Sequence, residues 1–192
     1  MNALMPYIIA CQTVIIPFKK VRGNEKNSVR LDIFAMCCYS YGIWQGDGLM
    51  LYLNKIANSL GGKAILGKAI LSGNDLVALI HKGLPADSAS YILKKGLLSK
   101  KEFNWLVTPE RTFMRRLKDK KLSSEESDKL TRFIRIRSFA VEVLESEEEA
   151  DAWLREKNIM LHNERPLDFL DTDSGSQLVE DLLGRIAHGI PS

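Results

Sequence analysis

The stretch TPERTFMRRLKDKKLSSEESDKL, residues 108–130, decides the fold. Between Thr108 and Lys121, six of fourteen residues are Arg or Lys, yet Phe113, Met114 and Leu117 interrupt them at helical spacing. A disordered basic tail has no use for apolar residues at that period, so the segment reads as a helix anchored on one face. Thr108 stands where a cap is needed, and Pro109 suits a first turn, where its missing amide would be unpaired anyway. Arg111, Arg115 and Lys118 recur at i, i+4 and i+7 on the outer face, with Thr112 and Arg116 beside them.

Immediately upstream, SKKEFNWL (99–106) reads as a second short helix, and only Val107 and Thr108 separate the two. Two short helices joined by so tight a turn make a helix-turn-helix, whose second helix enters the major groove. Phe113 and Leu117 are expected to pack back on Trp105 and Leu106. Arginine suits a forked contact with guanine, while the helix N-terminus and the cations of KDKK suit phosphates. The predicted DNA-contact set is therefore Thr108, Arg111, Thr112, Arg115, Arg116, Lys118, Lys120 and Lys121. The competing reading is an ordinary solvated helix.

Start signals recur on both sides of this pair. Ser99 with Glu102, Ser123 with Glu126, Ser146 with Glu149 and Ser174 with Gln177 all fit S-x-x-E/Q. In that box the hydroxyl accepts from an orphan amide and the acid or amide reaches back. Pro85 also suits a first turn, and Gly73, Gly83 and Gly96 mark ends. The pattern predicts helices near 74–82, 85–95, 100–106, 109–118, 124–145, 147–156 and 175–187, and weak strand signal around KAILGKAIL (63–71). The fold class is mainly α.

Composition is that of a globular chain: 27% charged and 45% hydrophobic over 192 residues. No run has the eighteen apolar residues of a membrane span. The opening MNALMPYIIACQTVIIPFKK lacks a basic start and a small-residue cleavage site, so a cytoplasmic protein without membrane association is expected. Three cysteines, two of them adjacent, frame neither a disulfide scaffold nor a C-x-x-C metal site.

The net charge of +3 hides a division. Residues 50–141 carry eighteen Lys/Arg against eight Asp/Glu, whereas residues 142–192 carry four against thirteen. A basic middle and an acidic end imply two surfaces with different partners. The first 49 residues differ again, holding all three cysteines and six of the fifteen aromatics with no clear helical period. They are either a small strand-containing unit or sequence upstream of a natural start at Met50, and the second reading is favoured.

Several apparent sites dissolve on inspection. GKAILGKA (62–69) resembles a phosphate-binding loop, but Ala69 replaces the hydroxyl residue that would ligate magnesium. His81, His162 and His188 lack metal-ligand spacing, and EVLESEEEADAW (142–153) crowds acids onto a helix start, where the macrodipole favours them. No nucleophile stands beside a base. No catalytic residue, metal or cofactor is expected, and the chain is expected not to be an enzyme.

In order, LGGKAILGKAI, DLVALIHKGLP, GLLSKKEFNWL, TPERTFMRRLKDKKLSSEESDKLTR, AVEVLESEEEADAWLREKNIMLHNERPLDFLDTDSG and VEDLLGRIAHGIPS resemble the Xre/MbcA/ParS-type antitoxins of bacterial type II toxin–antitoxin systems. The likeness covers about residues 60–192. It implies an Xre-like helix-turn-helix helical domain followed by a small helical toxin-binding domain. The boundaries it implies are an N-terminal extension (1–59), an Xre-like DNA-binding and dimerisation region (60–141) and a toxin-binding domain (142–192). Family members bind a RES-domain toxin that consumes NAD⁺ or transfers ADP-ribose from it, occlude its NAD⁺ site, and repress their own operon. The implied partners are thus a cognate RES-domain toxin and operator DNA, in a homodimer and a higher toxin–antitoxin complex. A stand-alone regulator without a toxin is the alternative.

One departure concerns a loop. Where the family has a small Pro-Ala-Leu-Gly-Gly turn, this chain has Met160, Leu161 and His162, with Asn163, Arg165 and Pro166 in comparable places. The last helix carries Leu178, Val179, Leu182, Leu183 and Ile186 at a period near 3.6, mostly core, with Arg185 beside them. A chain end that leaves such a helix can enter a cleft on a partner. The predicted toxin-contact set is Asn163, Arg165, Pro166, Arg185, His188, Gly189 and Ile190.

Overall fold

Short helices need a longer element to pack against, and residues 124–144 supply it for several of them. The structure, a computed structural model, describes residues 47–188. Among them are nine α-helices: α1 (Asp47–Ser59), α2 (Gly62–Leu66), α3 (Gly73–Lys82), α4 (Ala86–Lys95), α5 (Lys100–Leu106), α6 (Glu110–Asp119), α7 (Ser124–Leu144), α8 (Glu147–Arg155) and α9 (Asp173–Ala187). Two 3-10 turns, Ile159–Leu161 and Pro166–Phe169, lie between α8 and α9. Helix α7 has 21 residues, about 30 Å of axis, and packs against α1, α3, α8 and α9. Its Leu130, Phe133, Ile134, Ile136 and Ala140 are fully buried.

Every helix predicted from sequence exists, with ends shifted by one or two residues. Two capping boxes close in full, at Ser99–Glu102 and Ser123–Glu126. Ser146 accepts from the Glu149 amide, while its hydroxyl meets Glu148 instead of a returning Glu149 carboxylate. The fourth box is wrong: Thr172, not Ser174, caps α9 by accepting from the Gly175 amide. Ser72 caps α3 with Asp75 in the same role, one carbon shorter than the glutamate of the S-x-x-E pattern. Pro85 and Pro109 are cap residues preceding their helices, with extended ψ, not first-turn residues. Gly73 opens α3, whereas Gly83 and Gly96 close α3 and α4.

No strand forms at 63–71. Gly61, Gly62 and Gly67 adopt positive φ, and the four residues between the last two coil into α2, which Gly67 caps. Helix α1 was not foreseen as core, yet Leu53, Ile56, Ala57 and Leu60 repeat at i, i+3, i+4 and i+7 and are buried. The N-terminal extension drawn as 1–59 therefore includes a helix built into the main core. Its residues 1–46, with the cysteines, lie outside the described residues. The boundary drawn at 141/142 falls inside α7, and the described residues, 47–188, belong to one compact unit.

Gly83 shows why the helix-turn-helix sits where it does. Its φ is 90°, and a Cβ there would run into the Leu122 carbonyl. The close approach lets the Leu122 amide donate to the Leu84 carbonyl (2.8 Å) and the Ala86 amide to the Lys120 carbonyl (3.2 Å). The end of α6 is thereby stitched to the start of α4.

Candidate functional site

The setting of α6 depends on one buried carboxylate. Glu126, in the first turn of α7, returns to the Ser123 amide (2.7 Å) and also accepts from both neighbouring elements. The Thr108 hydroxyl donates to its Oε1 (3.2 Å), and Arg116 Nε donates to Oε1 and Oε2 (3.1 and 2.8 Å). Burial pushes this carboxyl up, but the Ser123 amide and the Arg116 guanidinium outweigh it and hold it below the ordinary value of 4.5. The turn before α6, the middle of α6 and the start of α7 thus meet at one group. Beneath them the Phe103 and Phe113 rings pack at 4.8 Å and 60°.

This corrects three assignments. Thr108 is 5% exposed and serves Glu126, so it neither caps α6 nor faces DNA. Arg116 turns inward to the same carboxylate. The aromatic partner of Phe113 is Phe103, not Trp105, which is 52% exposed. What remains outward on α6 is Arg111, Arg115 and Lys118, with half-buried Thr112 on one flank and exposed Met114 on the other. Lys120 and Lys121 are exposed just beyond, with Lys120 in a left-handed cap (φ 56°) that closes the helix.

Much of the basic charge of residues 50–141 is structural. Arg132 pairs with Asp128 (2.6 Å), and Arg135 pairs with Glu180 (2.9 Å). Arg137 grips Asp151 (2.7 and 2.8 Å) and Glu147 (3.1 Å), a setting that raises its pKa. Among the described residues, Arg111, Arg115 and Lys118 join no ion pair and remain available to a polyanion.

The C-terminal segment is locked to the helix-turn-helix by Arg155 of α8. Its guanidinium forks to both oxygens of Glu102 (2.9 and 3.2 Å) and reaches the Leu97 carbonyl (3.0 Å). Glu102 is also the capping-box acid of α5, accepting from the Ser99 amide (2.7 Å). Burial raises this carboxyl, but the Arg155 and Ser99 hydrogen bonds lower it further, to a net depressed pKa.

Between α8 and the second 3-10 turn the chain forms a closed hairpin. The Asn158 amide donates to the Glu164 carbonyl (3.0 Å), the Asn163 amide to the Asn158 carbonyl (2.9 Å), and the Asn158 side chain caps the Met160 amide (2.8 Å). His162 and Asn163 both have positive φ, 56° and 62°, a backbone region that favours glycine. Leu161 points into the core, while Ile159 is 84% and Met160 43% exposed. These two apolar residues are absent from the predicted contact set.

Of the predicted toxin contacts, Asn163 is exposed. Arg165 closes on its neighbour Asp168 (2.6 and 2.8 Å) and is half-exposed. Pro166 is buried beneath the second 3-10 turn and is withdrawn as a contact. On α9, Val179, Leu182 and Leu183 are core, Leu178 is exposed, and Ile186 packs against the core. Arg185 and His188 both interact within the chain. Gly189 and Ile190 lie outside the described residues.

Comparison with known proteins covers both segments. Residues 75–135 match the antitoxin Xre-like helix-turn-helix domain, and residues 139–189 match the antitoxin Xre/MbcA/ParS C-terminal toxin-binding domain. Antitoxin Xre of Photorhabdus laumondii is 32% identical over 124 residues, spanning 63% of this chain and 84% of that protein. The chain belongs to the Xre antitoxin family. A second relative, antitoxin Xre of Yersinia enterocolitica, is 32% identical over 77 residues, 40% of this chain and 52% of its own length. The helix-turn-helix match contains α5, α6 and the Glu126 network; the toxin-binding match contains α8, the hairpin and α9. Among the described residues no acidic, His or Cys group has the arrangement of a metal site, and no helix is long and apolar enough to cross a membrane.

Proposed function

We propose that this antitoxin neutralises a RES-domain toxin by covering its NAD⁺ site and represses its own operon by binding operator DNA as a homodimer. The observation that carries the reading is the contrast in chemical character between its two outward surfaces. The unpaired stripe of Arg111, Arg115 and Lys118 lies on the second helix of the motif, the helix that enters a major groove. The toxin-binding segment has a different character, acidic in composition with an apolar hairpin tip. Neutralisation by occlusion needs only steric exclusion, so it asks for no catalytic group.

Residues 188–190, following α9, are the part that reaches the NAD⁺ site, with His188 and Ile190 against the toxin and Arg185 at the base. Ile186 packs against the core, so the informative truncation ends the chain after Ala187 and leaves the packed helix whole. Cells co-expressing the neighbouring RES-domain toxin with the truncated chain are expected to die, while operator binding by the purified chain stays within about twofold. Survival of those cells sinks occlusion by this segment. Absence of any toxin binding by the intact chain would favour a stand-alone regulator.

A further inference from the structure

We infer that the Ile159–Met160 tip of the hairpin is the apolar anchor that selects this chain's own toxin, a role that rests on the toxin-binding reading above. Large apolar side chains at a turn tip are costly in water, and Ile159 keeps only about a sixth of its surface covered. The tip is not a loose excursion. Five backbone hydrogen bonds between residues 158 and 164, with the Asn158 cap, hold it. Leu161, 4% exposed, nails its base to the core. Consecutive left-handed residues, His162 and Asn163, are tolerated to close it.

A rigid, pre-shaped protrusion gives up little conformational freedom on binding, which is the property of an interface anchor. Glu156, Lys157 and Glu164, all exposed, stand on either side of the apolar pair in sequence. An apolar centre with a polar rim is the anatomy of an interface hot spot. The occupant is the toxin, not a second copy, because the hairpin lies within the segment matching a toxin-binding domain and that segment carries thirteen acids against four bases. The complementary toxin surface is an apolar notch edged by cations.

The test uses the full chain and the neighbouring RES-domain toxin, inactivated at its NAD⁺ site, in a calorimetric titration. I159D/M160D is expected to weaken binding at least about thirtyfold, with thermal midpoint and operator binding unchanged. I159V/M160L should stay within about threefold. I159S/M160S provides a second variant if the aspartates disturb folding, with at least about tenfold expected. Wild-type binding matched by both polar variants overturns the anchor and leaves the antitoxin reading intact. No binding by the wild type overturns both. Loss of self-association with toxin affinity unchanged assigns the tip to a second copy and also overturns the anchor.

Discussion

The helix-turn-helix segment and the toxin-binding segment are held by the same device and differ in what they leave outside. In each, a carboxylate is gripped by a buried or half-buried arginine: Glu126 by Arg116 in the first, Asp151 by Arg137 of α7 in the second, and Glu102 by Arg155 between them. Glu126 and Glu102 are at the same time capping-box acids. The geometry of each helix start is therefore tied to the packing of a distant element. Outside, one segment exposes cations on a helix face, and the other exposes an apolar turn among acids. Net charge overstates the first surface, because several of its arginines are fastened inward.

The sharpest way to break the contrast is R111A/R115A. Each arginine of a base-reading helix is worth about 1–3 kcal/mol of discrimination, so the pair should abolish operator preference in a competition assay. Thermal stability should not change, since neither side chain joins an ion pair among the described residues. K120A/K121A should weaken specific and nonspecific DNA alike and lower the salt slope by about two. E126A is next, with an expected loss of about 2–4 kcal/mol by denaturant unfolding, because Arg116, Thr108 and the Ser123 amide lose their acceptor together.

Acid should act on the same joints. Glu102 and Glu126 titrate below 4.5 in the fold, so their stabilisation is complete above that pH and is lost as pH falls through their folded values. Glu180 runs the other way: burial raises its pKa despite Arg135, so its contribution is lost as pH rises through its folded value. E102Q/E126Q should flatten the acid limb of the stability curve, and E180Q should steepen it. The smallest effect expected is from H162G, which removes a left-handed strain of about 1 kcal/mol and raises the thermal midpoint slightly. Toxin affinity unchanged in that variant would show that hairpin shape, not the His162 side chain, matters.

Much of the architecture was legible because it is written in local chemistry. Serine three residues before glutamate, glycine after an apolar period and a two-residue gap between helices all act within a few residues of chain. Strand signal at 63–71 misled because a short apolar run carries no period of its own, and positive-φ glycines on both sides coil it. The site was less legible. Arg111 and Arg116 are indistinguishable as letters in a basic helix, and only the position of Glu126, ten residues past Arg116, turns one inward.

By itself, then, the sequence determined the helices from α3 onward, their order, the division of charge and the family. Tertiary structure alone decided which charges are spent inside and which face a partner, that α1 belongs to the core, and that Ile159 and Met160 stand out on a fixed turn. The reason is range. Helix propensity and capping are settled by neighbours in sequence, whereas burial and ion pairing are settled by whatever the folded chain brings within a few ångströms.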